Sequence, residues 1–132
     1  MNTIPAFEKL EKKSPLERIE ILRKGFPFNV FTQLADALGI AKESLAASLA
    51  LNIRTLRRNS GQLNSIEAEK IFRVFVIYKM ATRLWGAEQA RDWLLQPAYG
   101  LGQARPLDLL DTDTGAQTVS NLLRNIEWSQ VA

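Results

Sequence analysis

An all-α fold is predicted by three features of this 132-residue chain. Apolar residues recur at helical spacing in the longer segments, and two of those segments start with Ser or Asn followed three residues later by Glu. No alternating β-branched run survives for four residues, so nothing reads as a strand. The expected organisation is a helical N-terminal region over residues 1–64 with a helix-turn-helix at about 42–59. A long linking helix over 65–85 and a small helical module over 86–132 follow.

The elements follow in order. Ser14-Pro15 with Glu17 is a helix start: Ser at the N-cap, Pro in the first helical position, Glu at the third. That helix runs Pro15–Lys24, sets Leu16, Ile19 and Leu22 on one face, and is stopped by Gly25. Phe26-Pro27-Phe28 is a turn that exposes its rings or packs them back on the core. Asn29 is expected to cap a helix to Leu38, with Val30, Phe31, Leu34, Ala35 and Leu38 apolar, and Gly39 ends it. A third helix, Lys42 to Leu49, is followed by a short basic one, Ile53–Asn59. Asn64 with Glu67 then caps the longest helix, Ser65 to Trp85, about 30 Å long at 1.5 Å per residue. Its apolar residues, from Ile71 through Val76 and Met80 to Trp85, cover nearly the whole circumference, as expected of a central helix buried on several sides and available for dimerisation.

Beyond Gly86 the chain alternates helix and break. Trp93, Leu94, Leu101, Leu109, Leu110, Val119, Leu122, Leu123 and Ile126 are interrupted by Pro97, Gly100, Gly102, Pro106 and Gly115. The segment is too short to bury those side chains alone and must pack on another domain or a partner. Pro106 starts a short helix to Leu110, and Thr114 with Gln117 is expected to cap a helix over Gly115–Glu127. Val119, Leu122, Leu123 and Ile126 form its apolar stripe, read as internal core. Asn121, Arg124, Trp128 and Gln130 lie off that stripe or beyond it. Trp is enriched among the residues that dominate interface energies, so Trp128 is either a partner anchor or folded back on the long helix. Trp85 and Trp93 are read as core, and Tyr99 with Arg105 in the Pro97–Pro106 loop as a second candidate contact.

The segment LAASLALNIRTLRRNSG, Leu45 to Gly61, has the pattern of a helix-turn-helix. Ala46, Ala47 and Ala50 allow close helix approach, Leu49, Leu51 and Leu56 are placed to bury at the crossing, and Asn52 can cap the second helix. That helix carries Arg54, Thr55, Arg57 and Arg58. Arg can reach guanine O6 and N7 bidentately or bind a phosphate, and Thr and Asn suit phosphates or base edges. A solvated surface with three Arg near a helix C-terminus is the plainer reading of the same residues. The turn has Ala50 where many such motifs carry Gly.

Composition removes whole classes of chemistry. With no Cys and no His, disulfides, thiolate metal sites, zinc fingers and the Ser-His-Asp and Cys-His catalytic arrangements are excluded. The remaining carboxylates, Lys, Tyr, Ser and Thr form no catalytic spacing, so no enzyme activity, cofactor or metal is expected. The N-terminus lacks the apolar core of a secretory signal and no window spans a membrane, so a cytoplasmic protein is expected. Net charge is +3, but Lys42–Arg83 holds eight Lys or Arg against three Glu, whereas Leu84–Ala132 holds three Arg against six acids. A basic middle and an acidic end imply two different partners, one polyanionic, unless solvated faces scatter the charge by chance.

Taken in order, LAASLALNIRTLRR, the Leu84-Trp85-Gly86 helix end, the W-L-x-x-P and L-G loop, P-L-D-L-L-D-T-D-T-G and V-x-x-L-L-x-x-I-E resemble the Xre/MbcA/ParS antitoxins across about Leu22 to Glu127. Gln103, where the loop often has a second Gly, and Ser129, in place of a Gly after the terminal I-E-aromatic, depart from that pattern. The resemblance implies a type II antitoxin whose C-terminal domain covers the substrate cleft of a RES-domain, NAD-consuming toxin, while its helix-turn-helix represses the shared operon. In those terms Asn52, Arg54, Thr55, Arg57 and Arg58 meet double-stranded operator DNA as part of a homodimer. Tyr99, Arg105, Asn121, Arg124, Trp128 and Gln130 meet the toxin. A stand-alone transcriptional regulator with a C-terminal dimerisation domain is the alternative, and a protein-interaction module that has lost DNA binding is a further one.

Overall fold

The computed structural model describes residues 4–58 and 61–131, with the side chains of 130 and 131 excepted. Eight α-helices are described: α1 (Pro5–Glu11), α2 (Pro15–Lys24), α3 (Phe28–Leu38), α4 (Lys42–Ser48), α5 (Ile53–Arg58), α6 (Ser65–Trp85), α7 (Ala87–Leu94) and α8 (Asp113–Val131). Two 3-10 turns, Tyr99–Leu101 and Pro106–Leu109, stand between α7 and α8. Among the described residues there is no strand, only an isolated bridge between Pro27 and Gln62. No described helix is long and apolar enough to cross a membrane. The chain divides into two compact units, Met1–Phe72 and Arg73–Ala132, and α6 runs through both.

In the first unit the expected cap at Ser14 is present in full. Its hydroxyl accepts from the Glu17 amide, and the Glu17 carboxylate accepts from the Ser14 amide. Asn64 and Glu67 make the same reciprocal pair at the start of α6, at 2.8 and 2.9 Å. The sequence missed α1. Its Ile4, Phe7 and Leu10 are almost wholly buried, and the Phe7 ring meets Phe26 edge-on at 5.3 Å and Phe72 at 5.6 Å. Burial of such side chains contributes about 1.5–3 kcal/mol each, which holds a helix too short to form alone. Phe26 is therefore core, while Phe28 is half-buried beside Phe31.

Three expectations change here. Asn29 does not cap α3, which begins a residue earlier at Phe28 after an extended Pro27. Leu16 and Ile19 point to solvent, and α2 buries no residue fully. Its inward side carries Arg18, which donates to the carbonyl oxygens of Leu10 and Glu11 at the end of α1, flanked by half-buried Ile21 and Leu22. On α6, Val76 and Met80 are half-buried, so the helix keeps a solvent strip through Glu69 and Arg83.

In the second unit α6 contributes buried Val74, Phe75, Ile77, Tyr78 and Ala81, joined by Ala90, Leu94, Leu107, Leu110, Ala116, Val119 and Leu123. Trp85 and Trp93 are a half-buried ring pair, centroids 5.5 Å apart, rather than deep core. The helix over 115–127 starts earlier than expected. Thr112, not Thr114, supplies the cap, its Oγ1 accepting from the Gly115 amide at 3.0 Å, and Gln117 donates to Asp113. Leu122 and Ile126 sit at the core margin, leaving Ala116, Val119 and Leu123 as the buried stripe.

Candidate functional site

The first surface is built by α4 and α5. α4 packs on α3 and α5, with Leu45, Ala46, Leu49 and Leu56 buried at the crossing; Leu51 is half-buried, and Ala47 and Ala50 are exposed, so close approach rests on Ala46 alone. The turn between the helices closes with two hydrogen bonds, Leu51 amide to Ala46 carbonyl at 2.8 Å and Ala50 amide to Ala47 carbonyl at 3.2 Å. Those bonds define a Schellman end whose penultimate residue must be left-handed. At the end of α3, Gly39 fills that place with φ 70 and the same pair of bonds. After α4 it is filled by Ala50 with φ 56. The turn keeps the geometry glycine usually supplies and carries the strain of an L-residue in it.

Asn52 opens α5. Its Oδ1 accepts from the amides of Arg54 at 2.9 Å and Thr55 at 3.3 Å, so only its amide donors remain for an outside acceptor. At 100° per residue, Arg54, Arg57 and Arg58 fall on the side of α5 opposite buried Leu56, and all three are exposed. Thr55 is half-buried. The Arg57 guanidinium lies 3.3 Å from the Glu43 carboxylate of α4, with both side chains more than half exposed. Such a pair is weak in water and yields readily to a phosphate. The expected last residue of this helix, Asn59, lies outside the described residues.

The second surface is built by the 3-10 turns and α8. Asn121, Arg124 and Trp128, with Gln117, fall on one stripe of α8 opposite Ala116, Val119 and Leu123. Arg124 donates to Asn121 at 3.4 Å. Trp128 is 73% exposed and so does not fold back on the long helix. The helix continues through Ser129, whose hydroxyl donates to the Asn125 carbonyl oxygen at 3.0 Å, where a Gly would favour a stop. The side chain of Gln130 lies outside the described residues.

Tyr99 is 93% exposed. The neighbouring Gly100 lies over Leu122 so closely that an added Cβ would come within 3.2 Å of it, which brings the loop alongside α8. The loop closes through Gln103 amide to Ala98 carbonyl at 3.0 Å, and Gln103 is left-handed at φ 69. Arg105 is held differently. Its guanidinium makes a two-point pair with Asp108, 2.9 and 3.0 Å, and the hydrogen bond to Asp108 raises its already high pKa. It presents a neutralised pair to a partner rather than a lone cation. Gly115 carries the L-D-T-D-T-G motif: a Cβ there would fall 1.7 Å from the Leu109 carbonyl oxygen, so only glycine lets α8 start against the second 3-10 turn.

The two surfaces define a two-part helix-turn-helix protein with a separate helical C-terminal module. Residues 17–75 match the antitoxin Xre-like helix-turn-helix domain, and residues 80–128 match the antitoxin Xre/MbcA/ParS C-terminal toxin-binding domain. The chain belongs to the Xre/MbcA/ParS antitoxin family. It is similar to the Prs ADP-ribosylating antitoxin of Sphingobium sp. (strain YBL2), 27% identical over 92% of this chain and 85% of that one. It is also similar to Antitoxin Xre of Photorhabdus laumondii subsp. laumondii, 28% identical over 85% and 79%. Antitoxin Xre of Yersinia enterocolitica matches at 27% over 83% and 77%.

Proposed function

We propose that this antitoxin neutralises a RES-domain, NAD-consuming toxin by seating the C-terminal module over its substrate cleft. As a homodimer, it also represses its own operon through α5. The observation that supports the first part most strongly is the α8 stripe: an aromatic ring 73% exposed at the end of a rigid helix, in line with Arg124 and Asn121. A large amphipathic ring held out in water is the kind of group that dominates interface energies once buried. Tyr99 on the adjoining loop enlarges the same surface, and Arg105 with Asp108 lies at its edge. Inhibition of this kind is steric, and the chain contributes no reaction, cofactor or metal of its own. The functional parts are residues 1–64, 65–85 and 86–132, in a cytoplasmic protein.

Operator binding is supported by the arginine face of α5. Arg54 and Arg58 are exposed one turn apart, Arg57 is held only by a solvent-exposed pair, and the free amide of Asn52 can donate to a phosphate. Two such helices about one helical turn of DNA apart, roughly 34 Å, fit a palindrome. The test is co-expression of the full chain with the product of the adjacent reading frame, followed by affinity purification. Capture by the wild type and its loss in Arg124→Ala/Trp128→Ala support toxin occlusion; a well-folded wild type that captures nothing overturns it and leaves a stand-alone regulator. Separately, Arg54→Ala/Arg57→Ala/Arg58→Ala must abolish binding to the upstream DNA while sparing capture. Retained DNA binding would remove α5 from the operator.

A further inference from the structure

Between Lys42 and Arg58 the two helices of the helix-turn-helix carry a single acid, Glu43. It is the second residue of α4, where a negative charge suits the helix N-terminus. Its carboxylate also reaches across to α5. There Oε2 lies 3.3 Å from the Arg57 guanidinium, and the side chains of Arg57 and Glu43 are 52% and 62% exposed. Arg54 and Arg58 stand on the same outward side of α5 without a charged partner among the described residues. One of the three exposed arginines is thus held by an internal anion.

We propose that Glu43 competes internally for the anion Arg57 binds, and that this anion is a DNA phosphate rather than a base edge. In a helix-turn-helix the first helix crosses the sugar–phosphate backbone, and bases are read from the N-terminal turn of the second. Glu43 stands at the start of the first of these helices, and Arg57 stands near the end of the second. The pair therefore belongs to the backbone side of the surface, and Arg54 to the base side. A phosphate that reaches Arg57 meets the Glu43 carboxylate within a few ångströms. The pair must open, and the carboxylate then faces a like charge. Both costs arise on every duplex, because phosphate contacts carry no sequence information. Glu43 thereby lowers affinity for all DNA alike, and the chain depends on base contacts for its residence on an operator.

The inference rests on the operator-binding reading, and its measurement separates the two. Binding of the full chain to a short random-sequence duplex and to the upstream DNA is followed by fluorescence anisotropy at about 50 mM salt. Glu43→Gln is expected to tighten both about tenfold, through the pair no longer opened and the repulsion relieved. In an Arg57→Gln background only the repulsion remains, so the same change should gain about threefold or less. Arg57→Gln alone should weaken both duplexes equally and reduce the log–log salt slope by about 0.9. Circular dichroism should be unchanged in each variant, since both side chains are exposed. Three results would each overturn the inference and leave repression through α5 standing: Glu43→Gln no tighter than wild type, a full tenfold gain without Arg57, or an Arg57→Gln loss confined to the upstream DNA. A wild type that binds neither duplex while Glu43→Gln binds both would remove the repressor and support the competition. If neither protein binds, both readings fall.

Discussion

Lys70 on α6 donates a 2.9 Å hydrogen bond from Nζ to the carbonyl oxygen of Leu49, the residue that ends α4. The bond ties the turn of the helix-turn-helix to the helix behind it. Lys70→Met keeps the aliphatic stem and removes the donor, so thermal unfolding should reveal a loss of about 1 kcal/mol. DNA affinity should fall as the turn loosens, while the log–log salt slope stays unchanged. A slope reduced by about 0.9 would show Lys70 neutralising a phosphate instead.

Ala50 and Gln103 each hold a left-handed backbone, at φ 56 and 69. Glycine relieves about 1–2 kcal/mol of that strain and gives back about 0.5–1 kcal/mol in unfolded-chain entropy. Ala50→Gly and Gln103→Gly are therefore expected to raise stability by about 0.5–1 kcal/mol apiece, read as an increase in the denaturation midpoint at constant m.

Gly115→Ala tests the close approach to the Leu109 carbonyl. Backbone must move to admit the methyl group, so a loss of more than about 2 kcal/mol is expected in the second unit. Toxin capture should fail together with it. A variant as stable as wild type would mean that α8 and the 3-10 turn separate easily.

Trp128→Ala removes a side chain already in water, so the melting temperature should stay within a degree or so of wild type. Toxin affinity, measured by calorimetry, should fall at least about 30-fold, the effect of losing an interface anchor worth about 2 kcal/mol. Equal affinity would move the contact to Tyr99 or elsewhere.

Protonation of Glu17 should unmake the α2 cap. Hydrogen bonds from the Ser14 side chain and amide lower the Glu17 pKa from its ordinary 4.5. A group lowered on folding contributes fully above its unfolded value and loses that contribution as pH falls through the lowered one. The chain has no His, so the melting temperature should be flat from pH 8 to 6. The difference between wild type and Glu17→Gln should persist at pH 6 and close below about pH 4.5. A difference that closes near neutrality would contradict the assignment.

Local chemistry made several of these elements readable before any coordinates. The cap residues Ser14 and Asn64, each answered by a Glu three positions on, and the arginines opposite Leu56 follow from spacing and hydrogen-bonding capacity. The residues that escaped depend on contacts distant in sequence. α1 exists because Ile4, Phe7 and Leu10 are buried, and short spacing among Lys and Glu gives no sign of that. Asn29 and Thr114 have capping side chains, yet Phe28 and Asp113 begin their helices first. Helical spacing put Leu16 and Ile19 on a common face, but it does not say whether that face meets the core or water. Trp128 is similar: its direction was set by a helix that runs on past Ser129.

The left-handed Ala50 also bears on how long the protein survives in a cell. Strain of about 1 kcal/mol in a turn raises the population of its opened form roughly fivefold. Proteases cut the opened form, and when opening is fast relative to cleavage the rate follows that population. A single methyl group at the bend between α4 and α5 is thus expected to make the free chain more open to cleavage there than its Ala50→Gly variant, by up to about fivefold.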